Sequence, residues 1–167
     1  SIILMMAIIF GAAFPGFAEQ AGQDVIDVVD GTTKETQRAS SVNLEVDGEV
    51  IVGDVPAILH QDRTLVPIRF VVEKFGAEVY WDQSAYEVTI KTEDRNIILN
   101  IDNSKASIDG KTVSLPDGVP PKLFGYQGKY RTMVPLRFIS ETLGYKIDWN
   151  GKTRTVTVDS SKDPAPT

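Results

Sequence analysis

The sequence predicts an α+β fold built from two homologous repeats, in which antiparallel hairpins pack on one short α-helix per repeat and a pseudo-twofold axis relates the halves. Three observations carry this reading. Residues 63–82, RTLVPIRFVVEKFGAEVYWD, return as RTMVPLRFISETLGYKIDWN at 131–150, and the match runs without a gap to 90/158 with 11 identities in 28 positions. Inside each copy the apolar spacing is helical before a glycine and has a period of two after it. Upstream of each copy an Asp-Gly pair stands between β-branched residues, at Val46-Asp47-Gly48 and Ile108-Asp109-Gly110.

Taken in chain order, residues 1–18 carry no charge and 14 of the 18 are apolar. The run Ile2 to Phe10 has the length of a signal-peptide h-region and is too short to span a bilayer, and Gly16 and Ala18 offer small residues for cleavage before Glu19. Residues 1–18 are therefore expected to be a signal peptide, with no stable membrane span after its cleavage. Residues 19–41 are rich in Gln, Thr, Ser and Asp and read as a flexible lead with one short strand around Val25 to Val29.

Repeat 1 covers 42–92 and repeat 2 covers 93–160, together one domain, followed by a tail at 161–167. Asp47-Gly48 and Asp109-Gly110 predict the two-residue turns of opening hairpins, because Gly tolerates the positive φ such turns need. The extended segments then end at Pro67 and Pro135, where proline fixes φ and suits the start of a helix. Ile68, Val71, Val72 and Phe75 fall at i, i+3, i+4 and i+7, and Leu136, Ile139 and Leu143 repeat the face, so two helices of about nine residues are expected. Gly76 and Gly144 follow as left-handed C′ residues. After them Val79 and Trp81, like Ile147 and Trp149, share a face of a second hairpin, where the two indoles are expected to anchor the core. Ile97 to Ile101 adds a strand tying the copies together.

Composition removes whole classes of function. Net charge is −6 and no cluster of Lys and Arg exceeds two residues, which argues against nucleic acid as a partner. There is no Cys, so disulfides, thiolate metal sites and Cys nucleophiles are absent, and the single His60 excludes any site needing two imidazoles. No catalytic, cofactor-binding or metal-binding residue is assigned.

The string R-T-[LM]-V-P-[IL]-R-F-x-x-E-x-[FL]-G-x-x-[VI]-x-W-[DN], present twice, resembles the copper amine oxidase N-terminal-like domain, or stalk domain, of bacterial envelope proteins over about residues 42–160. That resemblance implies an antiparallel sheet wrapped around a helix, no copper and no oxidase chemistry in this module. It also implies a place on exported bacterial proteins, secreted or at the cell surface.

The candidate ligand-binding residues are Phe124, Tyr126 and Tyr130, in a loop from Pro116 to Tyr130 whose aromatic faces suit sugar rings or peptide, with Lys122 and Lys129 beside them. Arg69 and Arg137 join them as members of repeated i, i+4 pairs, Arg69/Glu73 and Arg137/Glu141, for which a helix-surface ion pair is the leading reading and a paired ligand site the other. The functional expectation is a non-catalytic stalk or binding module at the bacterial envelope that contacts cell-wall polysaccharide or an envelope protein. The alternative is a small secreted hydrolase working with carboxylates alone, which requires two of them at a suitable separation across a cleft.

Overall fold

Both Asp-Gly pairs close the hairpins their chemistry calls for. Asp47 and Gly48 have φ of 52° and 81°, and Asp109 and Gly110 have 52° and 87°, the left-handed pair that lets two twisted strands meet through two residues. The computed structural model describes residues 25–69 and 74–161. Strands β1 (Val25–Asp30), β2 (Thr36–Val46), β3 (Glu49–Ile51), β4 (Ala57–His60), β5 (Arg63–Pro67), β6 (Glu78–Asp82) and β7 (Glu87–Lys91) come from the first part of the chain. The second part supplies β8 (Asn96–Asn100), β9 (Lys105–Ile108), β10 (Lys111–Ser114), β11 (Lys122–Tyr126) and β12 (Lys129–Pro135). Helix α1 (Leu136–Leu143) follows, then β13 (Lys146–Asn150) and β14 (Thr155–Asp159).

The α+β class with one helix per repeat is overturned: the fold is mostly β, 56% strand and 11% helix. Its centre is a barrel of six antiparallel strands, closed in the order β1-β11-β12-β5-β4-β2 and back to β1. Local patterning could not show this, because the closing strands β1 and the first half of β2 lie in the polar stretch read as a flexible lead. Over its described part, residues 25–41, that lead is β1, which contains the short strand expected at Val25 to Val29, a turn at 31–35 and the start of β2, with Val28 fully buried in the barrel. Half of the predicted helix over Ile68 to Phe75, residues 70–73, lies outside the described ones, as do the expected signal peptide and nearly all of the tail, while Ile68, Arg69 and Lys74 on either side are helical.

The repeats survive in the strand register. Strands β5 and β12 pair antiparallel with Val66 opposite Val134, flanked by Pro67 opposite Met133 and Leu65 opposite Pro135. Equivalent residues therefore face each other about a local twofold axis at Val66 and Val134, both fully buried. The closing hairpins match residue for residue, Trp81 opposite Val88 in one and Trp149 opposite Val156 in the other.

Each closing hairpin joins the opening hairpin of the other repeat. β14 lies parallel to β2, with Val156 beside Leu44 and Val158 beside Val46. In the second sheet, ordered β10-β9-β8-β7-β6, the equivalent rows are Val88, Leu99, Ala106 and Ile90, Ile97, Ile108, with β8 inserted between the two partners.

Two cores result. Val28, Ile58, Leu65, Phe124 and Met133 fill the barrel, while Val66 and Val134 on the outer faces of the same strands join a larger core with both flanking sheets and α1. Helix α1 buries Leu136, Phe138, Ile139 and Leu143 in that larger core. At its end Gly144, with φ of 83°, lets its own N–H and that of Tyr145 donate to the Glu141 and Ser140 carbonyls at 3.2 and 2.7 Å.

Candidate functional site

Two open clefts flank the axis, each assembled from both halves. The first, about 660 Å³, is lined by the chain from Pro67 to Arg69, by Val79, Trp81, Tyr86 and Val88 of one closing hairpin, and by Leu123 and Tyr130 to Thr132 of the partner half. The second, about 300 Å³, is lined by Pro135 to Arg137, by Ile147, Trp149 and Val156, and by Leu59 and Asp62 to Thr64. Subtracting the repeat offset places Pro135, Leu136, Arg137, Ile147, Trp149 and Val156 on Pro67, Ile68, Arg69, Val79, Trp81 and Val88, and Arg131-Thr132 on Arg63-Thr64.

The indoles are where the sequence reading needs correction. Trp81 is 38% exposed and Trp149 is 44% exposed, so neither anchors the core. The period of two does place them on the face of Val79 and Ile147, which reach the core. At the strand tips, however, no element among the described residues covers that face, and the rings line the clefts instead. In the first cleft Tyr86 meets Trp81 edge to face, ring centroids 6.5 Å apart, and Tyr130 is exposed. Lys34 Nζ sits 5.5 Å from the Tyr130 ring centre while donating to the Gly31 carbonyl at 2.7 Å. The ring of Tyr130 rests on Gly125, where an added Cβ would come within 2.6 Å of it.

The stretch from Pro116 to Tyr130 is not a loop. After a short 3-10 turn at Pro116–Gly118 it forms the β11–β12 hairpin, turned by Gln127 and Gly128 with φ of 50° and 82°. As barrel strands these residues alternate in and out, which separates the three aromatic candidates. Phe124 is fully buried in the barrel, Tyr126 packs partly buried against the same core, and only Tyr130 reaches a cleft. Arg69 and Arg137 are both exposed at matching places in the two clefts. Arg137 pairs with Glu141 at 3.2 Å, the ordinary helix-surface arrangement, whereas Glu73 lies outside the described residues. Arg131 and Arg63 point back to single carboxylates at the rims, Asp54 and Asp117 respectively.

A second polar cluster closes one end of the barrel. Lys122 Nζ bonds Asp30 at 2.7 Å and Asp102 at 2.6 Å, and the Thr32 hydroxyl bridges the same two carboxylates at 2.6 and 3.0 Å. Burial raises the Asp30 pKa, but Lys122, the Thr32 hydroxyl and the backbone N–H groups of Thr33 and Thr32 together outweigh it and hold the carboxyl well below the usual range. Lys122 is likewise raised: burial opposes its charge, and Asp102 and Asp30 more than compensate. His60 packs edge to face on Phe124 at 5.4 Å, and its pKa is lowered by burial first and by the Lys122 cation second, against the pull of Asp30 and Asp102.

This cluster bears on the hydrolase alternative, for it brings two carboxylates together. They share one ammonium ion rather than facing a cleft, and the buried one is held ionised, the reverse of what a general acid requires. Among the described residues no group of three or more His, Cys, Asp or Glu could hold a metal, and no helix is long and apolar enough to cross a membrane.

The described residues thus form a barrel with two matched, solvent-open clefts and a buried ion-paired cluster. The family model for the copper amine oxidase N-terminal domain matches residues 45–158, and the chain belongs to that family. Its members are non-catalytic, stalk-like accessory domains that typically occur in exported bacterial proteins. No curated protein and no solved structure matches the chain.

Proposed function

We propose that this chain is a non-catalytic, extracytoplasmic binding module of the bacterial cell envelope, and that the cleft around Trp81 holds a wall polysaccharide. The observation that carries the reading is the exposure of Trp81, Tyr86 and Tyr130 around one cleft. Large rings left in water are costly, and flat aromatic faces stack well on the C–H faces of sugar rings. The volume lies within the range of about 300–1,000 Å³ found for small-ligand sites. The family's occurrence on exported proteins supports the location.

Retention on purified cell walls tests this. The native chain should sediment with walls, before and after protease treatment of those walls, and Trp81→Ala with Tyr130→Ala should lower retention at least about tenfold, the scale of losing stacked aromatic anchors. Native retention that survives in the double variant overturns the cleft. Retention abolished by protease overturns the glycan in favour of an envelope protein.

A further inference from the structure

We infer that the two clefts are paired sites for one ligand class, an anionic glycan whose sugar or polyol units carry carboxylate or phosphate groups, so that a single chain binds two such segments. The inference rests on the binding-module reading above and adds the charge of the ligand and the number of sites. Its first support is the pairing itself: Arg69, Trp81 and Arg131 in one cleft occupy the positions of Arg137, Trp149 and Arg63 in the other. Each set is composite, the indole and helix-start arginine coming from one half and the strand arginine from its partner half. A feature kept in both copies and assembled twice from opposite halves is not a by-product of packing within one repeat.

The second support is charge. In a chain of net charge −6, the described lining of the first cleft holds Lys34, Arg69 and Arg131 and no carboxylate, so the cationic character is strongest there; the second holds Arg63, Arg137 and Asp62, with Asp117 and Glu141 as counterions to its two arginines. The rim carboxylates repeat the symmetry, Asp54 on Arg131 and Asp117 on Arg63. These pairs are partly exposed and so contribute little stability, yet each tethers an arginine that lines the same cleft as the indole. A guanidinium has five N–H donors; Arg131 uses one terminal nitrogen on Asp54 and the other on the Tyr130 carbonyl at 2.9 Å, and the N–H groups left over can still donate to a ligand anion. A cleft lined by an indole and two arginines suits a sugar ring stacked on its C–H face with its acidic group held by a guanidinium.

The two sites are not equal. The first is larger and adds Tyr86, Tyr130 and Lys34, whereas Arg154 stands where Tyr86 would be in the second. The first should therefore bind more tightly.

Calorimetric titration of the whole chain tests this with three short oligomers of equal length: a galacturonate oligomer for carboxylate, a glycerol-phosphate oligomer for phosphate, and a neutral chito-oligosaccharide. At least one anionic oligomer should bind at two sites per chain, at least about tenfold more tightly than the neutral one and with weakening as salt rises, as expected for exposed charges. Which anionic oligomer binds identifies the source of the charge. Trp149→Ala should remove the weaker site and Trp81→Ala the tighter, and Arg63→Gln and Arg131→Gln should weaken the same two sites respectively. Because both indoles are exposed, a circular dichroism spectrum matching native verifies that the variants fold. A single site, sites indifferent to Trp149, or equal affinity for the neutral oligomer overturns the inference. If walls retain the chain but neither anionic oligomer binds, the inference falls and the binding-module reading stands. If walls do not retain it, that reading falls first.

Discussion

Asp30 shows how a residue can be legible as a type and opaque as a role. In sequence it is one of many turn aspartates, and turn aspartates are favoured for backbone reasons. In the fold it accepts the N–H groups of Thr32 and Thr33, as a turn residue should, and is also 4% exposed with Lys122 as counterion. Burial with a partner makes the pair sensitive to loss of either member. Lys122→Met should lower stability at neutral pH by about 3–5 kcal/mol, because it leaves a buried carboxylate uncompensated. The sign of the pH effect follows from the shifts. Asp30 has a folded pKa below its unfolded value of 3.8, so its contribution is complete above that value and is lost as pH falls below it. His60 is also lowered, so acid favours the unfolded chain below its usual 6.5, and stability declines there first. Urea midpoints measured from pH 7.5 to 3.5 should fall for the native chain, while the gap to Lys122→Met narrows as the stranded carboxyl takes up a proton. A gap constant over that range would show that Asp30 is not the buried partner.

At the scale of elements, turns and helix ends were readable and coverage was not. The Asp-Gly hairpins, the closing hairpins and the Gly144 terminus follow from chemistry within a few residues, since positive φ is a local demand. Gly144→Ala tests that demand cleanly. An added Cβ would meet nothing within 4 Å, so any loss reflects the left-handed backbone alone and should be about 1 kcal/mol in urea unfolding. A loss near zero would mean that the end of α1 relaxes to another conformation. By contrast, alternation tells which side chains share a face of β6 or β13 but not where the covering layer stops, so by alternation alone Trp81 and Trp149 belong inside, whereas both are exposed. The same limit hid the cleft. Phe124 and Tyr130 are both aromatic in sequence, and only the barrel register of β11 and β12 sends one inward and the other to the surface.

For the whole molecule, the repeat was plain and the class was not, because barrel closure depends on β1 meeting β11 nearly a hundred residues away. No periodicity encodes such a pairing. The fold that results is interlocked, since each closing hairpin completes a sheet begun by the other repeat and both arms of the axis share β5 and β12. Unfolding should consequently be one cooperative event. Single-tryptophan variants Trp81→Phe and Trp149→Phe, each reporting on the half that keeps its indole, should give coincident urea transitions by fluorescence. Separated midpoints would mean that the halves melt independently.

Strand β8 has no counterpart in the sheet that contains β14. There β14 and β2 lie side by side in parallel, and the barrel already connects them. On the other side the chain leaving β7 must travel back a full strand length before β9 can run parallel to it, and β8 is that return journey laid into the sheet. It is thus a connector between repeats that is also core, with Ile97 and Leu99 fully buried. Connectors between duplicated units usually drift in length freely. Here one added or deleted residue would rotate both side chains into water, so the joint between the copies is as fixed in length as anything it joins.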